Sequence, residues 1–379
     1  MVSFISNRGR YQYVYVNNTA SEKLPLQYGV PQGSILGPLL FVVYINDLPF
    51  ICSFAKFILY ADDANIIISE NNIAELQNKI ELLLEKLQSW VNVNGLKLNI
   101  QKTKYMIFSN VEKTDLNIKI KSTPISRSRC EKFLGILVDD SLSWTDHING
   151  LASKISRNVG ILYKLKGIVP ESVLRTLYNS FVQSNLNYCS TVWGLKSKHS
   201  VEKVFRVQKK AIRAIENRFN NFFYNKETKE TACHTKDIFA RNKLLSVHNL
   251  IAKNTLSTMH KICMNLAPRP ILNMFHKYGK LPENSRRAPM IFEVPFNRLR
   301  SADKSLPYIG PKFYNDFANL VNTKYLKDKA DGVAKQQPLF QNKFYNPFKN
   351  CAKTFLLATQ NLGDPNTWDP LNFPLYTSI

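Results

Sequence analysis

No stretch of the 379 residues approaches the ~18 consecutive apolar positions that span a bilayer. The longest candidate, Ile35 to Ile45, is short and broken by Gly37 and Pro38. The N-terminus lacks the charged, apolar and small-residue order of a secretory leader, so a soluble, intracellular protein is expected. Cysteine is sparse and unpatterned: Cys52, Cys130, Cys189, Cys233, Cys263 and Cys351 include no Cys-x-x-Cys. That excludes a disulfide framework or a zinc ribbon. Cys233-His234 with His248 and His260 is the one conceivable zinc constellation, and its spacing matches no common site. Acidic residues are also short, 28 against 51 basic ones, for a net charge of +23. Apolar residues are not: 44% hydrophobic and 12% aromatic content excludes wholesale disorder and allows about two or three domains.

The charge is unevenly placed. Residues 1–150 carry 15 Lys/Arg against 14 Asp/Glu, whereas residues 151–379 carry 36 against 14. A near-neutral half joined to one of +22 points to a polyanionic partner. No segment reads as a basic amphipathic helix with a broad apolar face, which disfavours membrane attachment. Nucleic acid is the expected partner, against the plainer alternative of a basic surface kept for solubility.

The most informative segment is Phe57-Ile58-Leu59-Tyr60-Ala61-Asp62-Asp63-Ala64-Asn65-Ile66-Ile67-Ile68. Its flanks read as buried strands joined by a tight turn. Two carboxylates beside apolar strands are costly without a partner, and divalent cations are a partner that suits them. A solvated hairpin tip is the alternative. A second pair, Asp139-Asp140, precedes the turn-like Ser141-Leu142-Ser143 and reads as structural.

Along the chain, Tyr11–Val16 is strand-like, and Asn17-Asn18 signals a turn. Pro38 to Leu48 reads as a buried helix with Ser34 as a cap. Ile73, Leu76, Ile80, Leu83, Leu87 and Trp90 mark one apolar helical face, capped by Asn72 and stopped by Gly95, suited to packing under a sheet. Phe133–Val138 reads as a strand. From Ile148 to about Asn217 the pattern is helical, with Pro170-Glu171 opening one helix. Beyond residue 217 polar and aromatic residues mix, and Asn361–Ile379 reads as poorly ordered.

Four ordered motifs carry a family resemblance. Gly29-Val30-Pro31-Gln32-Gly33-Ser34, Tyr60-Ala61-Asp62-Asp63, Gly95–Lys104 and Phe133-Leu134-Gly135-Ile136 with Leu142-Ser143-Trp144 resemble the reverse transcriptases of non-LTR, jockey-like retrotransposons. The implied fold is α+β: a partial polymerase palm, with antiparallel sheet and packed helices, over 1–122; a primer-grip-like hairpin over 123–147; a helical thumb over 148–217; and a basic C-terminal region over 218–379, where Arg298, Arg300 and Gly310-Pro311 with Phe313-Tyr314 also resemble the family.

The resemblance implies Asp62 and Asp63 as catalytic metal ligands for Mg²⁺ or Mn²⁺, and Lys102 facing the departing pyrophosphate. It implies Pro31, Gln32, Gly33, Ser34, Tyr60, Phe133, Leu134 and Gly135 in binding substrate. Strand alternation leads one to expect Asp62 to be better aimed than Asp63. Implied partners are an RNA template, a DNA primer or RNA–DNA hybrid, and deoxynucleoside triphosphates. Implied localisation is nuclear, with cytoplasmic assembly.

The family's first metal-binding motif belongs upstream of Gly29, where Glu22 is the sole acid; a truncated, inactive copy is the expectation. Two readings compete with a polymerase: a non-catalytic nucleic-acid-binding protein, and an inert relic whose uncovered palm face aggregates. Replacing Asp62 separates the first two, since only polymerisation needs it.

Overall fold

The computed structural model describes residues 11–25, 29–30, 33–109, 115–196, 198–216, 235–277, 291–295, 304–330 and 352. The chain divides into two compact units, Met1–Arg129 and Cys130–Ile379.

In the first unit, β1 (Tyr11–Gln12) pairs with β4 (Leu24–Pro25), and β2 (Tyr15–Val16) with β3 (Thr19–Ala20), all antiparallel. Asn17 and Asn18 both have positive φ, the conformation that a two-residue hairpin loop demands and that Asn tolerates. Helix α1 (Leu36–Tyr44) follows, with the Ser34 hydroxyl accepting from Gly37 N at 3.0 Å. This helix was expected to be buried, but only Gly37 within it is. Leu36, Leu39, Val42 and Val43 are all exposed. An apolar helix needs cover on several sides; here Leu40, Phe41 and Tyr44 are half-buried, the Tyr44 hydroxyl meets the Asn94 carbonyl, and the next residue, Ile45, is buried.

Strands β5 (Lys56–Tyr60) and β6 (Asp63–Ile67) form an antiparallel hairpin. Helix α2 (Ile73–Val93) lies under it, its N-terminus capped by Asn72 Oδ1 accepting from Ala74 N at 2.9 Å. Gly95, at φ 64°, ends the helical run. Leu87 and Val91 pack with Leu48, Phe57, Leu59 and Ile66, so the apolar stripe serves a helix beneath a sheet. The strands are half-buried rather than buried, because one face alone meets the helix. A smaller cluster gathers Ile118, Ile120 and Ile125 around β7 (Lys119–Ile120) and β8 (Thr123–Pro124).

The second unit opens with β9 (Cys130–Phe133) and β10 (Ile136–Asp139), an antiparallel hairpin. The single strand expected over Phe133–Val138 is therefore interrupted: Leu134 (φ 45°) and Gly135 (φ 85°) form a two-residue turn. Both central residues at positive φ match the hairpin turn whose twist suits the flanking strands. Asp139 then accepts hydrogen bonds from Ser141 N and Oγ, Ser143 N and Trp144 N. Burial pushes its carboxyl up, but these bonds prevail and hold its pKa below the ordinary value. This acid is structural, as its turn context suggested.

Helices α3 (Thr145–Leu165), α4 (Glu171–Tyr178), α5 (Ser184–Asn187), α6 (Ser190–Trp193) and α7 (Lys198–Ile215) follow. Pro170 precedes α4 as expected, and a π-helical turn at Asn179–Gln183 links α4 to α5. The helical architecture continues where the sequence pattern gave no assignment, in α8 (Thr235–Arg241), α9 (Val247–Cys263), α10 (Arg269–Leu272) and α11 (Leu306–Ala330). One apolar core runs through all of this, from Ile148 and Trp193 to Phe292, Tyr314 and Ala352. The whole is the mixed α+β arrangement expected of a palm-and-thumb chain.

Candidate active site

The β5–β6 hairpin places the acid pair. Tyr60 pairs with Asp63 in register, leaving Ala61 and Asp62 as the two-residue loop. Ala61 takes φ 50°, an unusual conformation for a residue with a Cβ, and such residues are worth attention at functional sites. Directly opposed residues share a face. Phe57, Leu59 and Ile66 pack toward the helix, so Tyr60, Asp63 and Ile58 belong to the other, solvent-facing side. Asp62 sits in the loop, so the strand alternation used to rank it above Asp63 does not apply to it. Both carboxylates are exposed, and neither makes an ion pair or side-chain hydrogen bond among the described residues.

Two adjacent unpaired carboxylates suit a hard divalent cation that is held through one or two carboxylates and completes its shell with water and substrate phosphates. No group of three or more His, Cys, Asp or Glu side chains with metal-binding geometry occurs among the described residues. Among the described residues, the protein part of such a site is thus the pair alone. The imagined zinc constellation gains no support: Cys233 and His234 lie outside the described residues. His260 Nδ1 is 2.8 Å from the Tyr314 hydroxyl, and His248 is 3.5 Å from a Glu202 carboxylate oxygen.

Lys102 is exposed on a turn after Leu98, its backbone N–H bonded to Asn99, and its ammonium pairs with neither Asp62 nor Asp63. Gly33 has φ 84° with open space where a Cβ would lie, so its backbone can approach a ligand. The Ser34 hydroxyl is engaged in capping α1. Pro31 and Gln32 lie outside the described residues, as do Arg298 and Arg300. Gly310, Pro311, Phe313 and Tyr314 are all buried within α11.

Phe133, Leu134 and Gly135 form the tip of the β9–β10 hairpin. One residue the sequence did not single out holds them: the Tyr188 hydroxyl donates to the Leu134 carbonyl at 2.5 Å. No periodicity or motif marks Tyr188, because the contact closes over 54 residues.

A basic face also emerges. Lys203, Arg206, Lys210 and Arg213 are exposed at spacings of three and four along α7, on one side of the helix. Helix α3 runs beside it in parallel. Lys203 Nζ donates to Asn149 Oδ1 at 3.1 Å, the Tyr163 hydroxyl to the Lys210 carbonyl at 3.3 Å, and Lys166 Nζ to the Arg213 carbonyl at 3.2 Å. Lys154, Arg157 and Lys164 are exposed on α3.

Residues 3–138 match the reverse transcriptase (RNA-dependent DNA polymerase) family. The chain is 25% identical over 214 residues to the probable RNA-directed DNA polymerase from transposon X-element of Drosophila melanogaster, covering 55% of this chain and 24% of the relative. It is 26% identical over 215 residues to the RNA-directed DNA polymerase from mobile element jockey of the same fly, covering 54% and 23%. It is 25% identical over 199 residues to a retrovirus-related Pol polyprotein from the type-1 retrotransposable element R1 of Nasonia vitripennis, covering 49% and 59%. The chain spans about a quarter of the length of the first two relatives. Residues 3–138 are thus similar to the reverse transcriptase family, and the relatives that match come from non-LTR retrotransposons.

Proposed function

We propose that the first unit carries part of an RNA-directed DNA polymerase site, with Asp62 and Asp63 as its metal-holding carboxylates. The observation that carries this is the hairpin tip, which presents both acids, unpaired, beside exposed Tyr60 within the region that matches the family. Bound there, Mg²⁺ or Mn²⁺ would supply Lewis-acid polarisation of a primer 3′-hydroxyl and neutralise phosphate charge, as in two-metal nucleotidyl transfer. The chain's own contributions are positional. Gly33 lets backbone approach the substrate, Tyr60 stands beside the primer end, and the Lys102 ammonium offers charge or a proton to departing pyrophosphate; the 133–135 turn, by its resemblance, serves as a primer grip. Template, primer and deoxynucleoside triphosphates are the partners on this reading, and the nucleus is the site of action.

The described residues supply two carboxylates and no third. We infer that the chain by itself binds nucleic acid without extending a primer. The exposed basic residues of α7 and α3 favour this second, non-catalytic role. Primer extension on an RNA template with Mg²⁺, comparing the chain with Asp62→Asn/Asp63→Asn, tests both. Extension abolished by the double change means a complete site. No extension by either, with RNA still bound, means a binding protein. Failure to bind RNA at low salt removes both readings.

A further inference from the structure

The second unit contains a polar cavity of about 360 Å³ between α5–α6 and α9. Among the described residues no aromatic or aliphatic side chain lines it, in contrast to most small-molecule pockets, so they offer a nucleobase no stacking face there. Among the described residues Lys253 is the only charged one in its wall.

The hydrogen bonds around the cavity fix its polarity. Asn254 Nδ2 donates to Asn187 Oδ1 at 3.2 Å and to Ser190 Oγ at 2.8 Å. The Asn187 carbonyl and one Ser190 lone pair are thereby used, leaving the Asn187 amide hydrogens and the Ser190 hydroxyl hydrogen to donate. Ser257, 5% exposed, has a hydroxyl with no hydrogen bond among the described residues. Among the described residues the wall offers an ammonium, an amide and two hydroxyls and no carboxylate, a set of donors that is the complement of an oxyanion.

We propose that this cavity binds a phosphate group, either a free phosphate or a phosphodiester of a nucleic-acid strand. Tyr188, which holds the Leu134 carbonyl, stands between the cavity residues Asn187 and Cys189, so a seated phosphate lies one residue from the support of the hairpin turn. The proposal does not depend on the acid pair of the first unit; a chain without polymerase activity binds phosphate here all the same.

The test is calorimetric titration of the full chain with inorganic phosphate and, separately, with a single-stranded RNA. Asn187→Asp, which keeps shape and adds a negative charge, and Lys253→Gln are compared with Lys261→Gln, an exposed lysine of α9 outside the cavity. A single phosphate site is expected in the parent and in Lys261→Gln, weakened about tenfold or more in both cavity variants at unchanged melting temperature. If free phosphate gives no heat but RNA binding falls in the cavity variants well beyond the Lys261→Gln loss, the strand is the phosphate source and the proposal stands. Equal binding of phosphate and of RNA by all the chains overturns it. So does a phosphate site that neither cavity change weakens. Should Asn187→Asp fail to fold, Lys253→Gln decides alone.

Discussion

The phenol of Tyr188 meets the carbonyl of Leu134, and the edge of its ring lies 3.3 Å from where a Cβ on Gly135 would sit. One side chain from the helical region therefore both anchors the β9–β10 turn and, together with its positive φ, restricts position 135 to glycine.

Tyr188→Phe removes the hydrogen bond and keeps the ring. Destabilisation of about 0.5–1.5 kcal/mol is expected, with faster amide exchange confined to residues 131–138. Unchanged exchange there would show that the turn holds itself.

Gln208 is fully buried and bridges three elements. Its Nε2 donates to the Tyr178 hydroxyl and to the Leu245 carbonyl, both at 3.0 Å, and its Oε1 accepts from Val247 N at 2.7 Å. Gln208→Leu leaves the Leu245 carbonyl and the Val247 N–H buried without this partner. A loss of about 3 kcal/mol or more is expected in urea unfolding, far above the effect of an exposed substitution on the same helix.

His260 is fully buried against Tyr314, which also bonds Cys263, with Lys277 close to Cys263. Burial holds the His260 pKa down to about 4, from an ordinary 6.5. On acidification the unfolded chain takes up this proton first, so stability is full above about pH 6.5 and declines as pH falls toward 4, by roughly 2–3 kcal/mol. Half-buried His147 is lowered in the same direction and adds to the slope. Urea midpoints between pH 7.5 and 4.5 should fall with acid, and His260→Gln should flatten most of that fall.

The basic face of α7 predicts a salt signature. Replacing Arg206 and Lys210 by Gln should weaken RNA binding at low salt. The slope of log affinity against log salt should shrink by about 0.7 for each phosphate that is no longer neutralised. Filter binding at several salt concentrations measures it. An unaltered slope would place the RNA elsewhere.

Much of this protein can be read locally, for local physical reasons. Asn72 caps a helix because its short side chain reaches the first turn. Asn17 and Asn18 turn a hairpin because Asn tolerates positive φ. The Asp62-Asp63 tip follows from two β-rich flanks meeting across two residues. These interactions span only a few positions, so sequence by itself determined them, and the family motifs sit on them.

Tertiary structure decided what long-range contact decides. The left-handed turn at Leu134 was hidden within an apolar run, and its anchor lies 54 residues away. The exposure of α1 could not be inferred, because an apolar segment states how much surface it would bury and not whether anything covers it. The donor polarity of the cavity wall arises from Asn254 reaching back more than sixty residues to Asn187 and Ser190. Composition supplies the donors and acceptors, but which of them are already used is set only when the helices pack.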